Sequence, residues 1–257
     1  MNSLILTSKP IMSQLPGGWE PREVPKLDKA KHAASHISPL MTIVEHLFSI
    51  HECEQLIALF ARAPQFFPVG VQGKPIMDNE VVGSTRATLW SVELAKQIWE
   101  KIKPYVSERK MDEKSATDWW QGDKERRQWQ PVMCSPIFRF MKYECEGKHL
   151  PHYDNAFIYS DDSLRTLQSV VIYLTSSRIG GETRMISDDQ QNLPIWSRNH
   201  DDWFREARAD EVICQARAIA GNALIFDHKI CHDVQTHADK EPRIIIRTDI
   251  IFEANAI

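Results

Sequence analysis

A histidine and a carboxylate lie two residues apart in His152-Tyr153-Asp154. On a β-strand, residues i and i+2 point to the same face, so both side chains can reach one point. A second cluster near the C-terminus contains His228 and His232. Two histidines and one carboxylate form a facial triad, which binds a transition metal and leaves its other coordination positions open. We interpret His152 and Asp154, with one later histidine, as such a triad.

The ligand pair lies in a chain that is predicted to be rich in strands. Residues 136–143 and 169–174 alternate or run apolar as strands do, and residues 180–183 form a Gly-Gly turn. Residues 221–226 enter the second histidine cluster, and residues 243–252 form a basic and aliphatic strand. Short strands separated by glycine turns, with two early helices, predict a β-rich α+β domain.

Two helices are predicted before the ligand pair. Ser49 precedes Glu52 by three residues, which is a capping box, and an apolar stripe continues to Phe60. Ser91 can cap a second amphipathic helix, which ends near Pro104. We interpret both apolar stripes as surfaces that pack on the outside of a sheet, not as cofactor sites.

Three segments are predicted to be turns or loops. Residues 144–151 are expected to form a turn that delivers His152. Residues 111–128 contain Trp119-Trp120 and are expected to form a solvated loop, with a mobile loop over an active-site mouth as the alternative. Residues 187–212 are polar around Trp196 and Trp203, which suits either a lid or substrate-binding loop, or a surface decoration.

Taken together, these motifs resemble the prolyl 4-hydroxylase-like branch of the Fe(II)/2-oxoglutarate-dependent dioxygenases. The resemblance covers roughly residues 40–252 and depends on short motifs in a specific order, namely Tyr143, residues 152–155, Tyr173-Leu174, residues 180–183, residues 232–234 and Arg243. It implies a double-stranded β-helix, or jelly roll, braced by N-terminal helices.

The expected organisation is an N-terminal extension at 1–38 and a dioxygenase domain at 39–257. Within that domain we expect a helical support region at about 39–128, a jelly-roll core at about 129–257 and an insertion at about 187–212.

The resemblance also implies the metal ligands. His232 is favoured over His228 because residues 232–234 resemble the distal motif of the family, and because the spacing from His232 to Arg243 is near that of the family. The expected ligands of Fe(II) are therefore His152, Asp154 and His232. A carboxylate at Asp154 is typical of the hydroxylases, since related halogenases have a small residue there.

A 2-oxoglutarate cosubstrate carries one carboxylate that the metal does not bind. A buried guanidinium can hold such a group through two parallel hydrogen bonds. Arg243 is the expected clamp, and Arg247, on the same strand face, is the second candidate. The alternative is that these arginines form structural salt bridges with nearby carboxylates, namely Asp227, Asp233 or Asp249. By resemblance, Tyr173 and Tyr143 are expected to hydrogen-bond the same cosubstrate.

The implied reaction hydroxylates an unactivated C–H bond while O₂ oxidises 2-oxoglutarate to succinate and CO₂, with ascorbate as a candidate reductant. The expected substrate is a peptide or protein side chain such as proline, and a free amino acid or other small metabolite is the alternative. Two readings from other classes stay open. One is a jelly-roll metalloenzyme without 2-oxoglutarate chemistry, and the other is a catalytically silent metal-binding sensor or binding module.

Composition and charge limit the partners and the cellular compartment that the sequence predicts. The 257 residues carry a net charge of −4, and the isoelectric point is about 6.2, so no general nucleic-acid surface is predicted. Five cysteines are scattered and none forms a CxxC pair, which indicates reduced thiols and a cytoplasmic setting. No run of 18 apolar residues occurs, so no membrane span is predicted. No motif indicates the oligomeric state.

Overall fold

The computed structural model describes residues 18–28, 34–38, 40–64, 66–68, 81–111, 127–159, 163–191, 193, 197, 199 and 205–255. Its strands are β1 (Gly18–Trp19), β2 (Ala34–Ile37), β3 (Met41–Glu45), β4 (Phe67–Pro68), β5 (Val81–Trp90), β6 (Arg109–Met111), β7 (Arg127–Cys134), β8 (Ile137–His152), β9 (Leu164–Tyr173), β10 (Thr183–Ile186), β11 (Val212–Ala216), β12 (Ala223–Asp227), β13 (His232–Val234) and β14 (Arg243–Asn255). Its α-helices are α1 (Ile50–Phe60) and α2 (Val92–Ile102). Short 3-10 turns follow at Lys103–Tyr105 and Ala209–Glu211.

The 14 strands form one sheet with the central order β11-β10-β13-β8-β14-β9-β12-β3-β2. β5 pairs with the other edge of β8, and β7 pairs with the far part of β14. Every pairing of named strands is antiparallel except that of β1 with β5. The sheet curls into a nearly closed barrel, which confirms the predicted jelly-roll core.

The outer face of the sheet packs against both helices. Phe138 and Phe140 on β8 share one buried cluster with the apolar stripes of α1 and α2. Phe60, in the last turn of α1, stacks on Phe140 with ring centroids 4.6 Å apart. Because strand side chains alternate between faces, every second residue of β8 is thereby committed to this outer core. The prediction that the helices brace the sheet is confirmed.

The inner face carries a second apolar cluster and the polar side chains of the barrel interior. On β8 and β14, Met141 lies opposite Ile245, and Tyr143 lies opposite Arg243. Met141, Tyr143 and Ile245 belong to a buried cluster separate from the one beneath the helices. The alternation of β8 therefore places apolar bulk outside and functional side chains inside.

The predicted helix caps are present. Ser49 Oγ accepts a hydrogen bond from the backbone N–H of Glu52 at 3.1 Å, and the Glu52 carboxylate accepts one from the Ser49 N–H at 2.7 Å. Ser91 Oγ caps α2 by accepting from the Leu94 N–H at 3.1 Å. The capping box and the second cap are confirmed.

The predicted turn at 144–151 is wrong, because β8 continues through it to His152. The strand changes partner here, from β14 beside residues 139–143 to β13 beside residues 149–152. The chain bends at Glu146, whose φ is +69°, and a Cβ on Gly147 would meet the Gly83 carbonyl. The polar residues and the glycine therefore mark an irregularity inside one strand, not its end.

The remaining predicted segments are only partly described. In the predicted N-terminal extension, β1 and β2 pair with β5 and β3, so these parts belong to the sheet. Most of the predicted insertion, residues 187–211, connects the antiparallel strands β10 and β11. Trp119, Trp120, Trp196 and Trp203 lie outside the described residues. In the described part of the chain, no helix is long and apolar enough to cross a membrane.

A buried ion pair joins the two helices. Lys101 Nζ of α2 lies 3.1 Å from Glu52 Oε1 of α1 and donates to the Leu47 carbonyl at 2.9 Å. Both side chains are at most 5% exposed. Burial raises the pKa of Glu52, but the hydrogen bonds from the Ser49 N–H and from Lys101 outweigh it and hold the pKa below its ordinary value.

We predict that Lys101→Met lowers the free energy of unfolding by about 3–5 kcal/mol, because it leaves the Glu52 carboxylate buried without its partner. Urea denaturation at pH 7 measures the change. Lys103→Met is the matched control, because its pair with Glu100 is exposed and worth at most about 0.5 kcal/mol. Because the pKa of Glu52 is lowered in the folded protein, its ionised carboxylate stabilises the fold at pH values above its ordinary pKa of 4.5. The loss of unfolding free energy in Lys101→Met should therefore shrink as the pH falls below 4.5. Equal effects of the two substitutions would contradict the prediction.

Candidate metal centre

His152, Asp154 and His232 converge at one end of the barrel. β8 and β13 pair with His152 directly opposite His232, and Asp154 follows two residues after the end of β8. Nε2 of His232 lies 3.6 Å from Asp154 Oδ2, and Nε2 of His152 lies 3.9 Å from Asp154 Oδ1. The three ligand atoms all lie within 4.8 Å of one another, so one ion can contact all three.

Both imidazoles are oriented by backbone carbonyls. The Nδ1–H of His152 donates to the Leu150 carbonyl at 2.8 Å, and that of His232 donates to the Ile230 carbonyl at 3.0 Å. This arrangement leaves the Nε2 lone pair of each ring directed at the shared point. Burial lowers the pKa of both histidines, that of His152 to about 3. The rings are therefore neutral near pH 7, as metal ligands must be.

Asp154 is held as a carboxylate by two neighbouring strands. Ser169 on β9 donates its hydroxyl to Oδ2 at 2.5 Å, and Arg247 Nη2 on β14 lies 2.8 Å from Oδ1. Burial alone raises the pKa of Asp154, but Arg247 and the two histidines hold it well below its ordinary value. The three side chains thus present one negative charge and two neutral nitrogens to a cation.

His228 occupies a different place. It is 2% exposed, and its Nε2 lies 3.2 Å from Asp249 Oδ1. Asp249 also contacts Arg139 Nη1 at 3.0 Å and Arg247 Nη2 at 3.3 Å. In the described part of the chain, the group whose ligand atoms converge contains His232 and not His228. His228 belongs to a charge network on the inner face, next to Arg247.

Arg243 lies fully buried on the same inner face and lacks an acidic partner among the residues that the structure describes. Its Nη2 donates to Thr183 Oγ1 at 3.2 Å, while Nε and Nη1 are buried without a hydrogen-bond partner among the described residues. Its Cζ lies 5.0 Å from the ring centre of Tyr143 and 5.4 Å from that of Tyr173. A buried cation with open donors is costly without an anion, so this position suits a carboxylate.

Thr183 is a site residue for which the sequence indicated no role. Its Oγ1 accepts hydrogen bonds from Arg243 and, at 2.9 Å, from the Tyr173 hydroxyl. The consecutive positive φ angles of Gly180 and Gly181 set the turn that delivers Thr183 to the start of β10. The Gly-Gly pair in the sequence was the available signal, since the inner strand begins at Thr183, two residues after Gly181.

Arg247, the second candidate for the clamp, is committed elsewhere. It contacts Asp154 and Asp249, and its Nη2 donates to Ser169 Oγ at 3.2 Å. The alternative interpretation, a salt bridge with Asp249, therefore describes Arg247. Arg243 makes no ion pair within the described part of the chain and has the open donors.

The residues present fit Fe(II) and 2-oxoglutarate. Two neutral imidazoles and one carboxylate with open neighbouring positions are the donor set of non-haem Fe(II) sites. Arg247 contacts the Asp154 carboxylate of the metal site. Arg243 lies four residues earlier on the same strand, which is a separation of roughly 13 Å along the strand. Burial raises the pKa of Tyr143 and of Tyr173, so both hydroxyls stay protonated beside Arg243.

The structure of this chain resembles several solved structures. It is similar to OsALKBH1, with a TM-score of 0.50 and 12% identity over 83% of this chain and 99% of that chain. It also matches a Trichoplax adhaerens prolyl hydroxylase in complex with a hypoxia inducible factor peptide fragment (TM-score 0.49, 14% identity, 82% of each chain). A third match is a Pseudomonas putida prolyl-4-hydroxylase (TM-score 0.46, 16% identity, 82% and 91%). No family model and no curated sequence matches the chain. The likeness to OsALKBH1 establishes a shared fold.

We predict that His232→Ala weakens binding of Co(II), used as an air-stable divalent probe, by at least about 100-fold, since it removes one of the three side chains that coordinate the metal. Isothermal titration of the metal-free protein measures the affinity. His228→Ala is the matched control and should keep the affinity within about tenfold, while losing about 1–3 kcal/mol of stability through Asp249. The opposite ranking of the two affinities would move the distal ligand to His228.

Proposed function

We propose that this protein is an Fe(II)- and 2-oxoglutarate-dependent oxygenase that hydroxylates an unactivated C–H bond. The observation that carries the proposal is Arg243, a fully buried guanidinium with open donors on the inner face that also holds the triad. A silent metal-binding module has no use for such a cation, whose burial is costly in the absence of an anion. A jelly-roll metalloenzyme without a dicarboxylate cosubstrate does not need it either.

In this proposal His152, Asp154 and His232 hold Fe(II). Bound there, the metal supplies the redox chemistry by which O₂ oxidises 2-oxoglutarate to succinate and CO₂ and one oxygen atom enters the substrate C–H bond. Arg243 binds the carboxylate of 2-oxoglutarate that lies away from the metal. Thr183 fixes the guanidinium and the Tyr173 hydroxyl at the bottom of that pocket.

The other inner-face residues position the site and exclude water. Arg247 and Ser169 keep the Asp154 carboxylate ionised and oriented between the two imidazoles. Ile245 and, opposite it, Met141 are buried between the two arginine positions, and Val171 is buried opposite Arg247. These three side chains give the cosubstrate site apolar walls. A dry site strengthens the electrostatic contacts of both arginines.

The substrate that we propose is a peptide or protein side chain such as proline, with a free amino acid or another small metabolite as the alternative. The motif order of the prolyl 4-hydroxylase-like branch supports the first. A mass-spectrometric screen of peptides and amino acids for a gain of one oxygen atom identifies the substrate. If no compound in the screen gains oxygen while 2-oxoglutarate is consumed, the substrate belongs to neither class.

The cysteines bear on the cellular compartment. All five cysteines are free thiols, and Cys53, Cys134 and Cys231 are buried, which supports a reducing, cytoplasmic setting.

We predict that Arg243→Ala raises the apparent KM for 2-oxoglutarate by at least about 30-fold, because a charge-assisted contact is worth on the order of 2–5 kcal/mol. Its Co(II) affinity should stay near that of the wild type, since Arg243 contacts no ligand residue of the triad in the described structure. Succinate release against 2-oxoglutarate concentration measures the effect, and Arg243→Lys should recover part of it.

Arg247→Ala is the contrasting variant and should weaken Co(II) binding, because the Asp154 carboxylate loses the guanidinium, 2.8 Å away, that orients it between the two imidazoles. The two variants therefore separate the cosubstrate pocket from the metal centre. An unchanged 2-oxoglutarate titration in Arg243→Ala would remove the support for 2-oxoglutarate and leave the metal centre for other chemistry.

A further inference from the structure

Three arginines form a row across neighbouring strands of the inner face. Arg139 on β8 lies directly opposite Arg247 on β14, and Arg86 on β5 lies opposite Met141, the next inward residue of β8. Neighbouring strands are about 5 Å apart, so the row spans three strands over roughly 10 Å. We call Arg86, Arg139 and Arg247 the arginine row.

The arginine row has more positive charge than its surroundings balance. Among the described residues, Asp249 pairs with Arg139 and Arg247, and Asp154 pairs with Arg247. Asp154 is also the carboxylate that faces the two histidines of the triad. Like charges directly opposite on adjacent strands destabilise a sheet. With a divalent cation on the triad, only Asp249 is left to balance three guanidiniums.

Among the described residues, Arg86 is the member of the arginine row without a counter-ion. Its Nε is buried, and within the described part of the chain its guanidinium has no hydrogen-bond or ion-pair partner. Burial, together with the charges of Arg139 and Arg247, lowers the pKa of Arg86. Arg139 is 27% exposed, and Arg86 is also partly exposed, so this end of the inner face is open to a ligand.

We propose that Arg86, with Arg139 beside it, binds a carboxylate of the substrate that is hydroxylated. The inference rests on the proposed function and names the chemical class of its substrate: a molecule or side chain that carries a carboxylate within roughly 10 Å of the reacting carbon. Arg243 and Arg86 lie on the same face, with Arg243 beside Tyr143 on β8 and Arg86 beside Met141. The face therefore offers one open cation to the cosubstrate and a second to the substrate.

The test compares acids with their amides. Wild-type protein, loaded with Fe(II) and 2-oxoglutarate without O₂, is titrated with L-proline and L-prolinamide, with proline peptides as free acids and as C-terminal amides, and with proline peptides in which a neighbouring residue is Glu or Gln. These three arms separate a free amino acid, a chain terminus and an acidic side chain as the source of the carboxylate. At least one acid should bind at least about tenfold tighter than its amide.

Variants assign that preference to Arg86. Arg86→Gln should weaken binding of the acid at least about tenfold, leave the amide unchanged and leave 2-oxoglutarate binding unchanged. Arg86→Lys should restore part of the preference, and Arg217→Gln, at an exposed arginine directly after β11, should match the wild type. The absence of acid preference in every arm, or its survival in Arg86→Gln, overturns the inference and leaves the proposed function standing. If wild-type protein fails to bind 2-oxoglutarate, the proposed function fails first and this inference fails with it.

A second readout needs no ligand. Since Arg86 is a partly buried cation among cations, Arg86→Gln should raise the thermal midpoint of the ligand-free protein, whereas Arg217→Gln should leave it unchanged. A residue kept for structure would behave in the opposite way. A lower midpoint in Arg86→Gln would show that the guanidinium has a stabilising partner in the fold and would overturn its assignment as a substrate-binding residue.

Discussion

The register between β8 and β14 is the constraint on which the site depends. It sets Arg243 against Tyr143 and Arg247 against Arg139, while the alternate residues Phe140 and Ile246 face the outer core. A slip of one residue would send every inner side chain of a strand to the other face. The outer core under α1 and α2 prevents such a slip, because it buries large apolar side chains of both strands. The packing of the helices thus fixes where the inner guanidiniums lie.

Electrostatics on the inner face follows from alternating charges on buried side chains. Asp154 and Asp249 lie on either side of Arg247, and each keeps a depressed pKa because that guanidinium offsets the cost of burial. The ligand carboxylate is therefore charged and fixed before any metal binds, and the neighbouring imidazoles are neutral. Such preorganisation reduces the reorganisation that binding requires, which is the usual purpose of residues that support metal ligands.

The sequence could predict what is local or periodic. The capping box at Ser49, the amphipathic helices, the β-rich core and the proximity of His152 to Asp154 each follow from spacing within a few residues. What it could not predict depends on contacts between distant strands. The continuation of β8 through Glu146 follows from a change of strand partner, and the roles of Thr183 and Arg86 follow from register. The sequence favoured His232 over His228 only by resemblance, whereas the structure separates them because His232 lies opposite His152 and His228 contacts Asp249.

Two guanidiniums on one inner face, without acidic partners among the described residues, also lower the stability of the protein. A fold selected only for stability would pair or remove buried guanidiniums, because their desolvation is not repaid by an internal anion. Arg247 and Arg139 are paired in this way, whereas Arg243 and Arg86 have no acidic partner among the described residues. The contrast lies within a single face and among residues of one type, so desolvation alone does not account for it. It is explained if the missing anions belong to molecules that enter the barrel, one at the Tyr143 level of β8 and one beside Met141.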